Sequence, residues 1–266
     1  MGRIEKRFEE LHGQGRKAFI AYITAGDPSL DATISLVMEF EKAGVDIIEL
    51  GIPFSDPIAD GPVNQEAAQR ALKNGVNIGK ILNAVREIRK SSQVPVIFFT
   101  YLNTILAYGL ERFADDAADS GVDGVLVLDL PPEEAGEYKR IMDSKNIDTI
   151  FLISPITPDD RLEIIVHNTT GFVYYVSQMG VTGERDRVAD NVSVKIHKIR
   201  SKTIVPVVVG FGISSPEQVK EIAGYGDGVV VGSSIVKRIG KLGVNPGFEK
   251  EVAYYVKKLT KPLKGI

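Results

Sequence analysis

Short apolar runs rich in β-branched residues recur along the chain, at residues 19–23, 47–50, 96–99, 125–128, 149–153, 172–176, 205–209 and 229–231. Most are continuous rather than alternating, the pattern of parallel strands covered on both faces. Between them the apolar period changes. Ile78, Ile81, Leu82, Val85 and Ile88 share one helix face, and Phe248, Val252, Tyr255, Val256 and Leu259 form another stripe. Helix starts are marked as well. Thr157-Pro158-Asp159-Asp160 reads as an N-cap, a proline at the first helical position and acids in the first turn. Ser215-Pro216-Glu217-Gln218 has capping-box spacing. Strand and helix thus alternate from end to end, which demands crossover helices and a parallel sheet. Eight such units predict a (β/α)8 TIM barrel, with an extra N-terminal helix, over residues 1–266 as one domain. A doubly wound sheet fits less well. The first strand is followed by Thr24-Ala25-Gly26-Asp27-Pro28, not by a Gly-rich phosphate turn.

Composition narrows the chemistry. The chain has no cysteine, which excludes disulfides, thiolate metal sites and a cysteine nucleophile. His12, His167 and His197 stand far apart, in no ligand spacing. A net charge of −3 without a basic cluster argues against nucleic acid as a partner. No apolar run approaches the ~20 residues of a membrane span, and the charged first ten residues do not read as a secretory signal. The expectation is a cytoplasmic protein with no membrane partner.

The spacing of the runs points to the working end. Most begin 23 to 29 residues apart, but 49 residues separate Ile47 from Val96 and 33 separate Phe172 from Val205. The extra length follows strands 2 and 6, on the face where barrels of this kind carry their sites. Glu49 interrupts an apolar strand at that end. It is satisfied by neighbouring backbone, exposed at a strand end, or a general acid/base with a pKa raised by burial. The following loop, from Gly51 to Pro62, holds Pro53, Pro57, Asp56 and Asp60. Its prolines stiffen it enough to fix a carboxylate in place. Asp56 suits a turn; Asp60 faces a pocket or caps a turn. Gly210-Phe211-Gly212 after strand 7 and Gly232-Ser233 after strand 8 offer bare N–H groups at helix starts, a ready anion site or plain helix-start glycines. Of Tyr174 and Tyr175 only one can point into the barrel. Gly180-Val181-Thr182-Gly183 is a lid hinge or a turn. Together these residues predict a metal-free, phosphate-binding barrel enzyme using carboxylates, with a sugar-phosphate isomerase or aldolase among the possibilities.

The stretch Glu49-Leu50-Gly51-Ile52-Pro53-Phe54-Ser55-Asp56-Pro57-Ile58-Ala59-Asp60-Gly61-Pro62 resembles the tryptophan synthase α subunit family. So do Thr24–Pro28, Asp129-Leu130-Pro131, Gly180–Gly183 and Gly210–Ser214, so that the likeness covers essentially the whole chain. The resemblance implies retro-aldol cleavage of indole-3-glycerol phosphate to indole and glyceraldehyde 3-phosphate, with no cofactor in this subunit. It implies an α2β2 complex with a β subunit that uses pyridoxal phosphate and receives the indole. It assigns acid/base chemistry to Glu49, hydrogen bonding to the indole N–H to Asp60, and an active-site tyrosine to Tyr174. Thr182 and Gly183 fall on the family's lid. Gly183, Gly212, Gly232 and Ser233 fall on its phosphate site, and Leu126 and Phe211 lie around the substrate. Pro53 and Asp56 fall on the partner interface. Tyr22 departs from the family pattern, where a Phe is expected beside the indole.

Overall fold

A computed structural model describes residues 1–176, 185–210, 212–243 and 245–264, and the backbone alone for 185–191. The apolar runs become strands β1 Ala18–Thr24, β2 Ile47–Gly51, β3 Val96–Thr100, β4 Gly124–Val127, β5 Asp148–Ile150, β6 Leu152–Ile153, β7 Val173–Val176, β8 Val207–Gly210 and β9 Gly228–Val231. All pair in parallel, in the order β5-β4-β3-β2-β1-β9-β8-β7-β6, and helices fill the crossovers. The expected fifth strand, 149–153, is therefore two pieces. β5 bonds β4 on one side and β6 bonds β7 on the other, with Phe151 at the break. The Phe151 carbonyl accepts the Tyr174 N–H at 3.2 Å, so the sheet closes on itself through this seam. Other corrections are local. The seventh expected strand begins at Val207 rather than Val205, because Pro206 has no N–H for the ladder. Thr157 does not cap the helix Asp159–Asn168. Its Oγ1 accepts the Ser154 N–H instead, and Pro158 occupies the cap position. The capping box at Ser215 and Gln218 forms as expected, on the helix Pro216–Ala223.

Strand alternation sorts the core into two layers. Ile48, Leu50, Phe98, Val125, Tyr175 and Val209 face outward to the helices. Ile20, Tyr22, Ile47, Ile97, Leu126, Ile150, Phe172, Val208 and Val230 fill the barrel, with Tyr174 packed against them. The expected N-terminal helix is Arg3–Gly13, and its Ile4, Phe8 and Leu11 join this inner cluster. Arg7 bonds Asp46 and Arg3 bonds Asp123, residues that immediately precede β2 and β4, so the helix closes the N-terminal end of the barrel. The long interval after β2 holds a ten-residue loop and an unforeseen helix, Pro62–Lys73, before the expected helix Ile78–Arg89.

Candidate active site

The chemistry gathers at the opposite end, where the strands finish. Glu49 lies one pleat above Ile47 on the inward face of β2, in register with Tyr22 of β1 and Ile97 of β3. It is 1% exposed, and its Oε1 has no hydrogen-bond partner among the described residues. Burial alone raises its pKa to about 8, because an ionised carboxylate there would be neither hydrated nor paired. Of the readings open for this acid, exposure at the strand end fails, Oε1 finds no backbone donor among the described residues, and burial leaves the carboxyl with a raised pKa.

Two tyrosines reach the same space. Tyr174 is the inward member of its pair, since Tyr175 packs in the outer layer. A side chain at Gly210 would strike the Tyr174 hydroxyl, and one at Gly51 would strike that of Tyr22. Bare strand ends therefore make room for both phenols. Burial, and then the charge of Glu49, pushes the Tyr174 phenol well above its ordinary value. Burial, and then Asp60, does the same for Tyr22, which also feels Glu49. The Tyr22 ring meets Phe99 edge-on, with centroids 5.2 Å apart. Leu126 of β4 lies fully buried below, in register with Phe99 and Ile150.

Asp60 stands half-buried near the end of the loop after β2. Its N–H bonds the Pro57 carbonyl at 3.0 Å, and its own carbonyl accepts from Gln65 Nε2 at 2.9 Å. Its carboxylate Oδ2 accepts from the Tyr101 hydroxyl at 3.0 Å. Burial raises its pKa, and hydrogen bonds from Tyr101 and Asn64 pull it partly back. Pro53 is buried in the same loop, whereas Asp56 is exposed and takes the Ser55 hydroxyl.

The two glycine turns lie side by side. Gly232 holds the cap position of the helix Ser233–Leu242, and Ser233 opens it, exposed. Ser234 Oγ donates to the Ile213 carbonyl at 2.9 Å, tying this helix start to the turn after β8 that carries the exposed Gly212. Main-chain N–H groups at such a start favour an anion. Thr182, Gly183 and Phe211 lie outside the described residues. The three histidines are exposed and away from this face. Among the described residues no group of three or more His, Cys, Asp or Glu is placed to hold a metal ion, and no helix is long and apolar enough to cross a membrane.

Sequence reasoning missed Tyr101 and Asn64, the two side chains that hold the Asp60 carboxylate. A tyrosine just past a strand and an asparagine in a helix's first turn carry no distinguishing spacing. It also missed the clamp behind the loop. Asp27, 2% exposed, takes both Nε and Nη2 of Arg70 at 2.8 Å, which fixes the helix Pro62–Lys73 to the turn after β1.

Known proteins of one family resemble this chain in sequence and in fold. A family model described as tryptophan synthase alpha chain matches residues 8–263. The tryptophan synthase alpha chain of Geotalea daltonii is 51% identical over 238 residues, 90% of each chain. That of Geobacter sulfurreducens is 52% identical over 237 residues, 89% of this chain and 90% of the other. Among solved structures, tryptophan synthase subunit alpha from Legionella pneumophila matches with a TM-score of 0.92 at 35% identity, covering 100% of both chains. A chain of the tryptophan synthase complex from Pyrococcus furiosus matches with a TM-score of 0.83 at 38% identity, covering 92% of this chain and 99% of that one.

Proposed function

The chain belongs to the tryptophan synthase alpha chain family, whose members cleave indole-3-glycerol phosphate to indole and glyceraldehyde 3-phosphate, and we propose that Glu49 and Asp60 carry out that cleavage here. The carbon–carbon bond breaks only after indole C3 is protonated, which turns the ring into an electron sink. Glu49 is protonated at neutral pH and gives that proton. The ring then carries positive charge at its nitrogen, and Asp60 accepts the indole N–H and offsets the charge. As the bond breaks, its electron pair returns to the ring and releases indole. The hydroxyl on the departing carbon loses its proton to the Glu49 carboxylate, leaving the aldehyde of glyceraldehyde 3-phosphate. Glu49 ends the cycle protonated, as it began. Each such group is worth about 10²- to 10⁴-fold in rate.

The observation that carries this reading is the buried Glu49, whose Oε1 has no partner among the described residues and whose pKa burial raises to about 8. Tyr174 beside it closes the pocket against water and orients the substrate. Tyr22 and Leu126 line the indole. Gly212, Gly232 and Ser233 take the phosphate through main-chain N–H groups; Gly183, Thr182 and Phe211, to which the family resemblance gives phosphate, lid and substrate roles, lie outside the described residues. The family membership replaces the alternative of a sugar-phosphate isomerase or aldolase. The partner is a β subunit in an α2β2 complex, docked on this end of the barrel, where it consumes the indole. Supporting that docking, Ile58, Leu106 and Ile156 are 88%, 54% and 85% exposed on three segments that follow strand ends. Pro53 would act from within, by stiffening the loop. The test is indole release by Glu49→Gln and Asp60→Asn, with and without a β subunit. Each is expected to lose at least about 100-fold in kcat while remaining folded. A wild-type rate in either removes that residue from the mechanism.

A further inference from the structure

Resting on the reading of Asp60 given above, we propose that Tyr101 is the positioning residue of this site, and that Asp129 sets Tyr101 for the task. Tyr101 follows β3 and occupies the cap position of the helix Leu102–Tyr108, with an extended backbone. It is 3% exposed, and its ring packs on Phe54 of the acid loop with centroids 5.1 Å apart. Its hydroxyl accepts the Ala59 N–H at 3.0 Å and bonds Asp60 Oδ2 at 3.0 Å. The Ala59 N–H can only donate, so it engages the acceptor side of the phenol. The phenol's single proton is thereby committed to Asp60.

Two consequences follow. The hydrogen bond favours the ionised carboxylate, the form needed against a cationic indole nitrogen. It also joins the loop after β2 to the end of β3, so Asp60 is located by the barrel as well as by its own turn. Asp129, just past β4, accepts the Leu102 N–H at 2.7 Å through Oδ1. This satisfies the first amide of the helix that Tyr101 caps and fixes where the ring leaves the backbone. The stretch Asp129-Leu130-Pro131 thereby gains a task in the site.

The groups facing Asp60 come from every neighbouring element. Tyr22 stands on β1, and it also feels Glu49 of β2. Tyr101 follows β3, with Asp129 acting on it from beyond β4. Asn64 and Gln65 belong to the helix Pro62–Lys73. Tyr101 and Asn64 favour the charged form by hydrogen bonding, against burial, which favours the protonated one.

The experiment follows the Asp60 carboxyl directly by ¹³C NMR titration, with the resonance assigned from Asp60→Asn. It compares wild type with Tyr101→Phe, which keeps the ring on Phe54. The Asp60 midpoint is expected to rise by about one pH unit in Tyr101→Phe. kcat/KM for indole-3-glycerol phosphate should fall roughly tenfold, mostly in kcat. Asp129→Ala should fall by less, and should add little on top of Tyr101→Phe. An unmoved midpoint in Tyr101→Phe overturns the proposal, including when the variant merely melts at a lower temperature. A wild-type rate in Asp60→Asn overturns the role of Asp60 instead, and the NMR midpoint distinguishes the two failures because it does not depend on turnover.

Discussion

At the scale of single residues, the barrel keeps a carboxyl where the fold is worse off for having it. Glu49 titrates at about 8 in the folded chain against 4.5 for a free glutamate, and burial is the cause. Between those values the native state holds a proton that the unfolded chain has released. Unfolding therefore becomes easier as pH rises through that window, and the penalty is complete above pH 8. The loss approaches on the order of 4 kcal/mol at its upper end. Glu49→Gln has no such titration. Urea midpoints of ligand-free wild type and Glu49→Gln should therefore diverge steadily between pH 5 and pH 8, with the variant the more stable at pH 8. Parallel curves would contradict a buried, unpaired carboxyl. The same residue stood out in the sequence, because an acid inside a β-branched run is costly unless it is paired or neutral. Tyr101 did not, since a tyrosine at a strand end looks like any core aromatic until its hydroxyl is placed.

At the scale of elements, the site depends on a helix that supplies no reacting group but holds Asp60 through Asn64 and Gln65. The helix Pro62–Lys73 starts two residues beyond Asp60 and is pinned by Arg70 to the buried Asp27 carboxylate. Removing one partner leaves the other charge without its fork, so Arg70→Met should cost about 3 kcal/mol in unfolding free energy. Replacing both, as in Asp27→Asn with Arg70→Met, should cost clearly less than the sum of the singles. Additive losses would show that the pair is not coupled. This helix escaped the sequence reading because its buried side chains are Ala67, Ala68 and Ala71, too small to stand out against the polar background. By contrast the helix Ile78–Arg89 buries Ile78, Ile81, Leu82, Val85 and Ile88, the residues whose spacing announced it. The strands were legible for a related reason. Both faces of a parallel strand are covered, so nearly every position is apolar. The seam at Phe151 was not legible, because the partner each half bonds is set by barrel closure rather than by the local run.

At the scale of the whole molecule, stability and chemistry occupy opposite ends of one barrel. The N-terminal helix carries Phe8 into the closed end, 7% exposed, with its ring centroid 6.0 Å from that of Phe172. Phe172, just before β7, in turn lies 6.4 Å from the ring of Tyr174, two residues further along the chain. The interior is thus a continuous stack from the floor to the candidate site, and the floor could either only hold the barrel shut or also set the phenol above it. Close packing transmits volume changes over short distances, but the backbone of a parallel strand is fixed by ladders on both sides. β7 has such ladders to β6 and β8, so the position of Tyr174 is set by the sheet rather than by Phe8. Phe8→Ala should therefore lower unfolding free energy by about 3–4 kcal/mol. The kcat for indole release, measured well below the lowered melting temperature, should stay within about twofold of wild type. A fall in kcat that tracks the stability loss would instead place the floor within the catalytic machinery.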